Sequence, residues 1–193
     1  IKHIVPKVWQ HLVVTSNATR IRLQETSVKD PNVGILLGVL RVLPLFLICN
    51  HFSSTFEDAL VKTMLGYRDA SDRHEEYYAC AEVIPNTQFL ESMVEQLELK
   101  LLQKLVEFID WSPSNQFIKR ALLEEVNDVP VLERTLYGAA LAQGRKFSIF
   151  EALSNSDFFN IKHRPYWFSN VQMSATTIEQ MQNRVPGKIT DKM

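Results

Sequence analysis

The run of apolar residues from Val33 to Cys49, VGILLGVLRVLPLFLIC, most strongly limits the folds that are open to this chain. It is long enough to need burial, and it lies at the lower edge of the length that spans a bilayer. Arg41 stands at its centre, and a central Arg costs a spanning helix about 2.5–3.5 kcal/mol. The run is therefore predicted to be a buried core helix with a kink or break near Pro44. A membrane-embedded segment is the alternative.

Capping residues and prolines predict a series of helices along the rest of the chain. Asp30-Pro31, Ser112-Pro113 and Asp128-Val129-Pro130 each combine a capping side chain with a proline that suits the first helical position. The clearest helix spans 87–109, where apolar residues recur at helical spacing: Leu90, Val94, Leu97, Leu101, Leu105 and Phe108. Other faces of this helix are apolar as well, which is typical of a central helix. The predicted fold is an all-α orthogonal bundle of about eight helices around the central helix 87–109.

Four local signals predict helix boundaries inside this bundle. Residues 54–57 (Ser-Thr-Phe-Glu) and 148–151 (Ser-Ile-Phe-Glu) match capping boxes, and each predicts the start of a helix. Gly66 and Gly144 each predict the end of one, because glycine is the preferred residue just beyond a helix.

Near the N-terminus, the sequence pattern is compatible with two different secondary structures. Residues 11–25 admit a short β-hairpin as well as a helix, because the segment from Arg20 to Gln24 alternates between polar and apolar residues. The chain is predicted to form one helical domain over 1–185, followed by a frayed C-terminal tail at 186–193.

The composition is that of one domain with a hydrophobic core. Of the 193 residues, 46% are hydrophobic and 22% are charged, and the formal net charge is −1. This charge provides no general attraction to nucleic acid or to an anionic membrane. Two cysteines, Cys49 and Cys80, are too few for a disulfide framework and are predicted to be reduced, with a single disulfide between them as the alternative. Ile1 rather than Met begins the sequence, which favours a piece of a longer chain. No signal peptide is visible, so we expect a soluble intracellular protein.

The densest polar segment contains a candidate metal site. Asp72 and Glu76 are four residues apart and share a helical face, and Asp69 lies one turn before Asp72. Carboxylates in this arrangement can hold Mg²⁺ together with a substrate phosphate. A second, facing acidic motif is missing, however, and a solvated helix start with Arg68 or Arg73 as ion-pair partner explains the same residues. A magnesium-dependent helical enzyme that uses Asp69, Asp72 and Glu76 is therefore an alternative function.

The segment from Lys162 to Phe168 combines basic and aromatic side chains. Such a set can pair with phosphates and stack on bases, or it can anchor a protein partner, through Lys162, Arg164, Tyr166, Trp167 and Phe168. In a third interpretation, Trp167 and Phe168 cover the core while the two basic side chains stay in solvent. A loop or short turn is predicted here, because a proline at position 165 disfavours the helical conformation of the residue before it.

Sequence motifs of known enzymatic chemistry are missing. The chain contains no Gly-x-Ser-x-Gly, no phosphate-binding glycine loop and no pair of histidines at helical spacing, so no catalytic residue and no cofactor is predicted. The sequence instead predicts a non-enzymatic helical domain for protein–protein interaction or assembly, within a larger chain or complex. Its expected partner is a protein or another copy of itself. A nucleoprotein-like, nucleic-acid-binding helical protein is the first alternative, and the magnesium enzyme is the second.

Overall fold

The computed structural model describes residues 4–67, 73–83, 86–154 and 161–185. Within these ranges the chain forms α-helices and three short 3₁₀ turns, without any β-strand, so the predicted all-α bundle is confirmed. The helices are α1 (Ile4–Gln24), α2 (Val33–Gly66), α3 (Arg73–Glu82), α4 (Thr87–Phe108), α5 (Gln116–Val126), α6 (Leu136–Ser154), α7 (Arg164–Ser169) and α8 (Ala175–Arg184). The tail predicted at 186–193 lies outside the described residues.

Residues 11–25 belong mostly to one long helix, and the alternative of a β-hairpin near 11–25 is wrong. α1 runs without interruption from Ile4 to Gln24. Ile21 and Leu23, the apolar members of the alternating segment, are both buried. A helix can bury both residues here because α1 packs against α2 and α6 and also contacts α8. Contacts on several sides remove the need for a single narrow apolar stripe, so an alternating pattern does not require a strand.

α2 is a single helix that continues through Pro44, so of the predicted kink or break, the break is wrong. A proline inside a helix removes one backbone hydrogen bond and costs about 3 kcal/mol. Leu37 and Val42 before the proline and Ile48 after it are all buried. Each such side chain contributes roughly 1.5–3 kcal/mol when it leaves water, which together exceeds the cost of the lost hydrogen bond.

The helix start predicted at 54–57 is also wrong, because these residues lie within α2. The hydroxyl group of Thr55 donates a hydrogen bond backwards to the carbonyl oxygen of His51, at 2.9 Å. A hydroxyl that bonds to the preceding turn continues the helix rather than capping a new one. The helix end predicted at Gly66 is confirmed, since α2 ends at that residue.

α6 is likewise continuous from Leu136 to Ser154, so the predicted end at Gly144 and the predicted start at Ser148 are wrong. Both residues contact α1 instead. A Cβ atom at Gly144 would lie 2.7 Å from the backbone nitrogen of Thr19. The hydroxyl oxygen of Ser148 lies 2.7 Å from Nδ1 of His11. The glycine and the serine therefore serve the packing between two helices rather than the ends of one.

α1 and α2 approach each other closely at two further glycines. A Cβ atom on Gly34 would lie 2.5 Å from the backbone nitrogen of Arg20, and one on Gly38 would lie 2.4 Å from the Cα atom of Ser16. Side chains do not tolerate such distances, so these positions require glycine for the observed helix crossing. Small residues at helix crossings let two backbones meet, and this arrangement places α1 between α2 and α6.

α4 forms within one residue of its predicted bounds, at Thr87–Phe108, but its predicted central position is wrong. Only Leu102 and Val106 of this helix are buried. These two residues pack in a cluster with residues of α2, α5 and α6, including Leu37, Leu122 and Leu141. α4 therefore covers one side of the bundle, and α1 with α2 and α6 forms its centre.

α2 is long and apolar enough to cross a membrane, and 44% of its most apolar window is buried inside the protein. Buried helices of soluble proteins share this length and composition. The expectation of a soluble chain therefore stays a prediction.

Candidate partner-binding surface

The acidic segment is only partly within the structure. Asp69 and Asp72 lie outside the described residues, and Glu76 is half-exposed in the first turn of α3. In the part of the chain that the structure describes, no group of three or more His, Cys, Asp or Glu side chains could hold a metal ion. The magnesium site at Asp69, Asp72 and Glu76 stays a prediction.

The basic and aromatic segment forms a 3₁₀ turn over Ile161–His163 and then the helix α7, so the predicted loop or short turn is wrong from Arg164 onward. Proline is compatible with the first turn of a helix, where its missing N–H has no partner in any case. Phe168 is fully buried, and its ring centroid lies 5.0 Å from that of Phe150. The indole nitrogen of Trp167 donates to the carbonyl oxygen of Lys146 at 3.4 Å, and the ammonium group of Lys146 lies 4.0 Å from the ring centroid.

The remaining members of this segment point in different directions. The guanidinium of Arg164 lies 5.7 Å from the ring of Phe150 and donates a long hydrogen bond, 3.5 Å, to Gln182 on α8. Tyr166 is 79% exposed, and Lys162 is exposed. The five candidate residues therefore do not form one surface. Phe168, and Trp167 in part, belong to the core, as the third interpretation expected, but Arg164 is partly buried rather than in solvent.

An ion-pair network that the sequence analysis missed joins α2, α4, α5 and α6. Arg41 is only 1% exposed, and its guanidinium lies 2.6 Å from a carboxylate oxygen of Glu98 and 2.7 Å from one of Glu125. Glu125 also pairs with Arg134, and with Arg145 at 3.3 Å. Burial lowers the pKa of Arg41, but the two carboxylates raise it by more, so the group stays a cation.

A sequence signal for this network was present. Glu125 follows Leu122 by three residues and Ala121 by four, which places it on the inward face of its helix. Arg41 lies in the middle of the apolar run. Two opposite charges on inward faces predict a buried pair, because an isolated charge is very costly to bury.

His11 and Ser148 form a second polar contact, which is partly buried. Nδ1 of His11 lies 2.7 Å from the hydroxyl oxygen of Ser148, which also lies 3.2 Å from the His11 carbonyl oxygen. Burial, and to a lesser extent the nearby cation of Arg41, lowers the pKa of His11 from 6.5 to about 4. The imidazole is therefore neutral inside the folded protein at neutral pH.

This contact predicts a pH-dependent stability. Between pH 6.5 and 4 the unfolded chain binds a proton on His11 that the folded chain does not, so the free energy of unfolding falls as the pH falls. The contribution of His11 over this window is about 3 kcal/mol. We expect His11→Gln to remove this part of the pH dependence in urea unfolding measured at a series of pH values.

The matched control for this experiment is His51→Gln, which changes an exposed histidine on α2. It should leave the slope of stability against pH in this window unchanged. An equal slope in the wild type and in His11→Gln would contradict the prediction.

α2 and α4 form an open apolar groove with a volume of about 530 Å³. The Arg41–Glu98 ion pair joins these two helices. One wall comes from Leu43, Pro44 and Leu47 of α2, and the other from Leu101, Leu105 and Phe108 of α4. The exposed Lys104 and Glu107 also line the groove and pair with each other at 2.9 Å.

The α4 stripe that was predicted to face the core does so only in part. Leu90, near its start, packs against a core cluster, whereas later members of the stripe are exposed. Leu97 is partly exposed and Phe108 is 89% exposed, while Leu101 and Leu105 are half-buried. The inward residues Leu102 and Val106 are each one position further along and therefore lie about 100° further around the helix. The residue one turn before Leu102 on this inward side is the charged Glu98, and its carboxylate is paired with Arg41 of α2.

Comparison with known proteins adds no relative from which a function could be transferred. The chain matches no family model, no curated protein and no solved structure.

Proposed function

We propose that this chain is a non-enzymatic helical domain for protein–protein interaction or assembly, and that it binds its partner through the groove between α2 and α4. The observation that carries the proposal is the apolar stripe of α4, which ends in the exposed Phe108 beside the groove. Contiguous exposed apolar surface with a polar rim is typical of protein-binding sites.

The shape of this surface favours a helical partner. Residues 97, 101, 105 and 108 recur every three or four positions along α4, so their side chains form a straight line along the helix. An amphipathic helix laid along such a line can insert its own side chains between them, as in helix-in-groove recognition. An exposed aromatic residue beside a hollow is also a common centre of binding energy.

The binding of nucleic acid through the segment from Lys162 to Phe168 has less support. A stacking surface needs aromatic rings with a free face. Phe168 is buried, and the cation of Lys146 lies over the ring of Trp167, which leaves Tyr166 as the well-exposed aromatic side chain of the segment.

A photo-crosslinking experiment tests the proposed surface. A benzoylphenylalanine side chain replaces Phe108 in the full protein, within the cells that normally produce it. We expect irradiation to give a defined protein adduct, because the side chain would lie inside the contact. The adduct is measured by electrophoresis and identified by mass spectrometry.

The control places the same photoreactive side chain at Leu132, which is 76% exposed on the turn between α5 and α6. This position should give several-fold less adduct than position 108. Equal labelling at the two positions, or no adduct at position 108, would count against the proposed function.

A further inference from the structure

We propose that the groove is occupied by a second copy of this chain, through an antiparallel pairing of α4 with α4 of the other copy. This inference rests on the proposed function and specifies its partner. The first argument is that the same face carries both a projection and a hollow. Phe108 projects from α4 and also lines the groove. A two-fold rotation brings each projection onto the hollow of the other copy, so the face is complementary to itself.

The second argument is the arrangement of charge on the groove. Lys104 and Glu107 lie three residues apart on α4, and both are well exposed. In an antiparallel pair of helices whose two-fold axis passes midway between them, each Lys104 lies opposite Glu107 of the other copy. Lys104 and Glu107, which pair with each other at 2.9 Å within one copy, can then exchange partners to form two cross-copy ion pairs, and this alignment also sets the register.

The same register brings the apolar residues together. Counted along α4, Phe108 of one copy lies two positions from Leu101 of the other copy, which is roughly 3 Å along the helix axis. A groove of about 530 Å³ has room for several side chains, so a helix face fills it better than one ring does. Leu105 lies close to the two-fold axis and meets its own counterpart there.

The test is the oligomeric state of the full chain, measured by sedimentation equilibrium with purified protein. We expect a mass of twice the 22.3 kDa of one chain. Phe108→Glu places a charge in each of the two symmetric hollows and should raise the dimer Kd by at least about 100-fold. Leu132→Glu, on another exposed surface, should leave the Kd unchanged.

A charge exchange keeps the test independent of any effect of Phe108→Glu on folding. Lys104→Glu alone and Glu107→Lys alone place like charges opposite each other, and each should raise the Kd by roughly tenfold. The double variant K104E/E107K restores opposite charges across the two-fold axis and should return the Kd to within about threefold of the wild-type value. All these side chains are well exposed, and unchanged thermal unfolding of the monomer checks that each variant folds.

Three outcomes overturn the inference: a monomeric wild type at every concentration, a dimer that tolerates Phe108→Glu, or no recovery in the double variant. These results are distinguishable from failure of the proposed function. A monomeric chain that still gives an adduct with a different protein from position 108 keeps the interaction surface and removes the second copy as its occupant. A monomeric chain without any adduct removes both.

Discussion

Glu125→Gln should lower the free energy of unfolding by about 3–5 kcal/mol, because it removes one partner of a buried ion pair. The carboxylate of Glu125 contacts Arg41, Arg134 and Arg145. Without it, the buried guanidinium of Arg41 keeps only Glu98, and two further cations lose a neutralising charge. Chemical denaturation with urea at neutral pH measures this change directly.

The control for this prediction is Glu95→Gln, which changes an exposed carboxylate on α4 and should stay within about 0.5 kcal/mol of the wild type. If Glu125→Gln costs no more than the control, the network does not contribute as described. A double-mutant cycle with Arg41→Met measures the coupling of the central pair, which should exceed about 1 kcal/mol because the two groups are in direct contact.

Gly38→Ala should destabilise the protein by about 3 kcal/mol, although alanine is the better helix former. In an open helix this exchange would stabilise by up to about 1 kcal/mol. At Gly38 the added Cβ would lie 2.4 Å from Cα and 2.7 Å from the backbone nitrogen of Ser16 on α1. These are main-chain atoms in a packed helix, so α1 and α2 must separate to make room. Thermal or urea unfolding of the variant measures the result.

Gly66→Ala is the matched control, because it is the same substitution in the same helix. A Cβ at Gly66 would meet no atom within 4 Å. We expect this variant to be as stable as the wild type or slightly more stable. A gain in stability for both variants would show that helix propensity, and not the crossing of α1 with α2, governs position 38.

The buried network and the proposed interaction surface are linked through α2 and α4. Arg41 and Glu98 connect these two helices, and Leu43 and Leu101, which line the groove, lie two or three positions further along each of them. A change at Glu98 is therefore expected to alter the width of the groove as well as the stability of the bundle. The two walls of the groove belong to α2 and α4, so its shape depends on the spacing of these two helices.

Local sequence signals determined that most of the helices exist and where several of them end. The bounds of α4 follow from its periodicity to within one residue, and α2 ends at the predicted Gly66. At the start of α8 the cap is equally local, because the side chain of Ser174 accepts a hydrogen bond from the backbone N–H of Thr177. These features depend on contacts within a few residues of the chain, and a sequence pattern contains both partners of such a contact.

Only the tertiary structure decided which signals are local and which side of each helix faces inward. Glycine and serine are typical of helix ends, yet Gly144 and Ser148 lie inside α6 and contact α1. Gly144 lets the two backbones approach because it has no Cβ, and the hydroxyl group of Ser148 lies against His11. α4 has two apolar stripes, and the one that packs inward is the one that places Glu98 against Arg41. A glycine can end a helix or allow a close helix crossing, and a serine can cap its own helix or bond to another one. An apolar stripe can likewise face the core or remain at the surface. The choice depends on the distant partner, and that partner is fixed only when the helices pack.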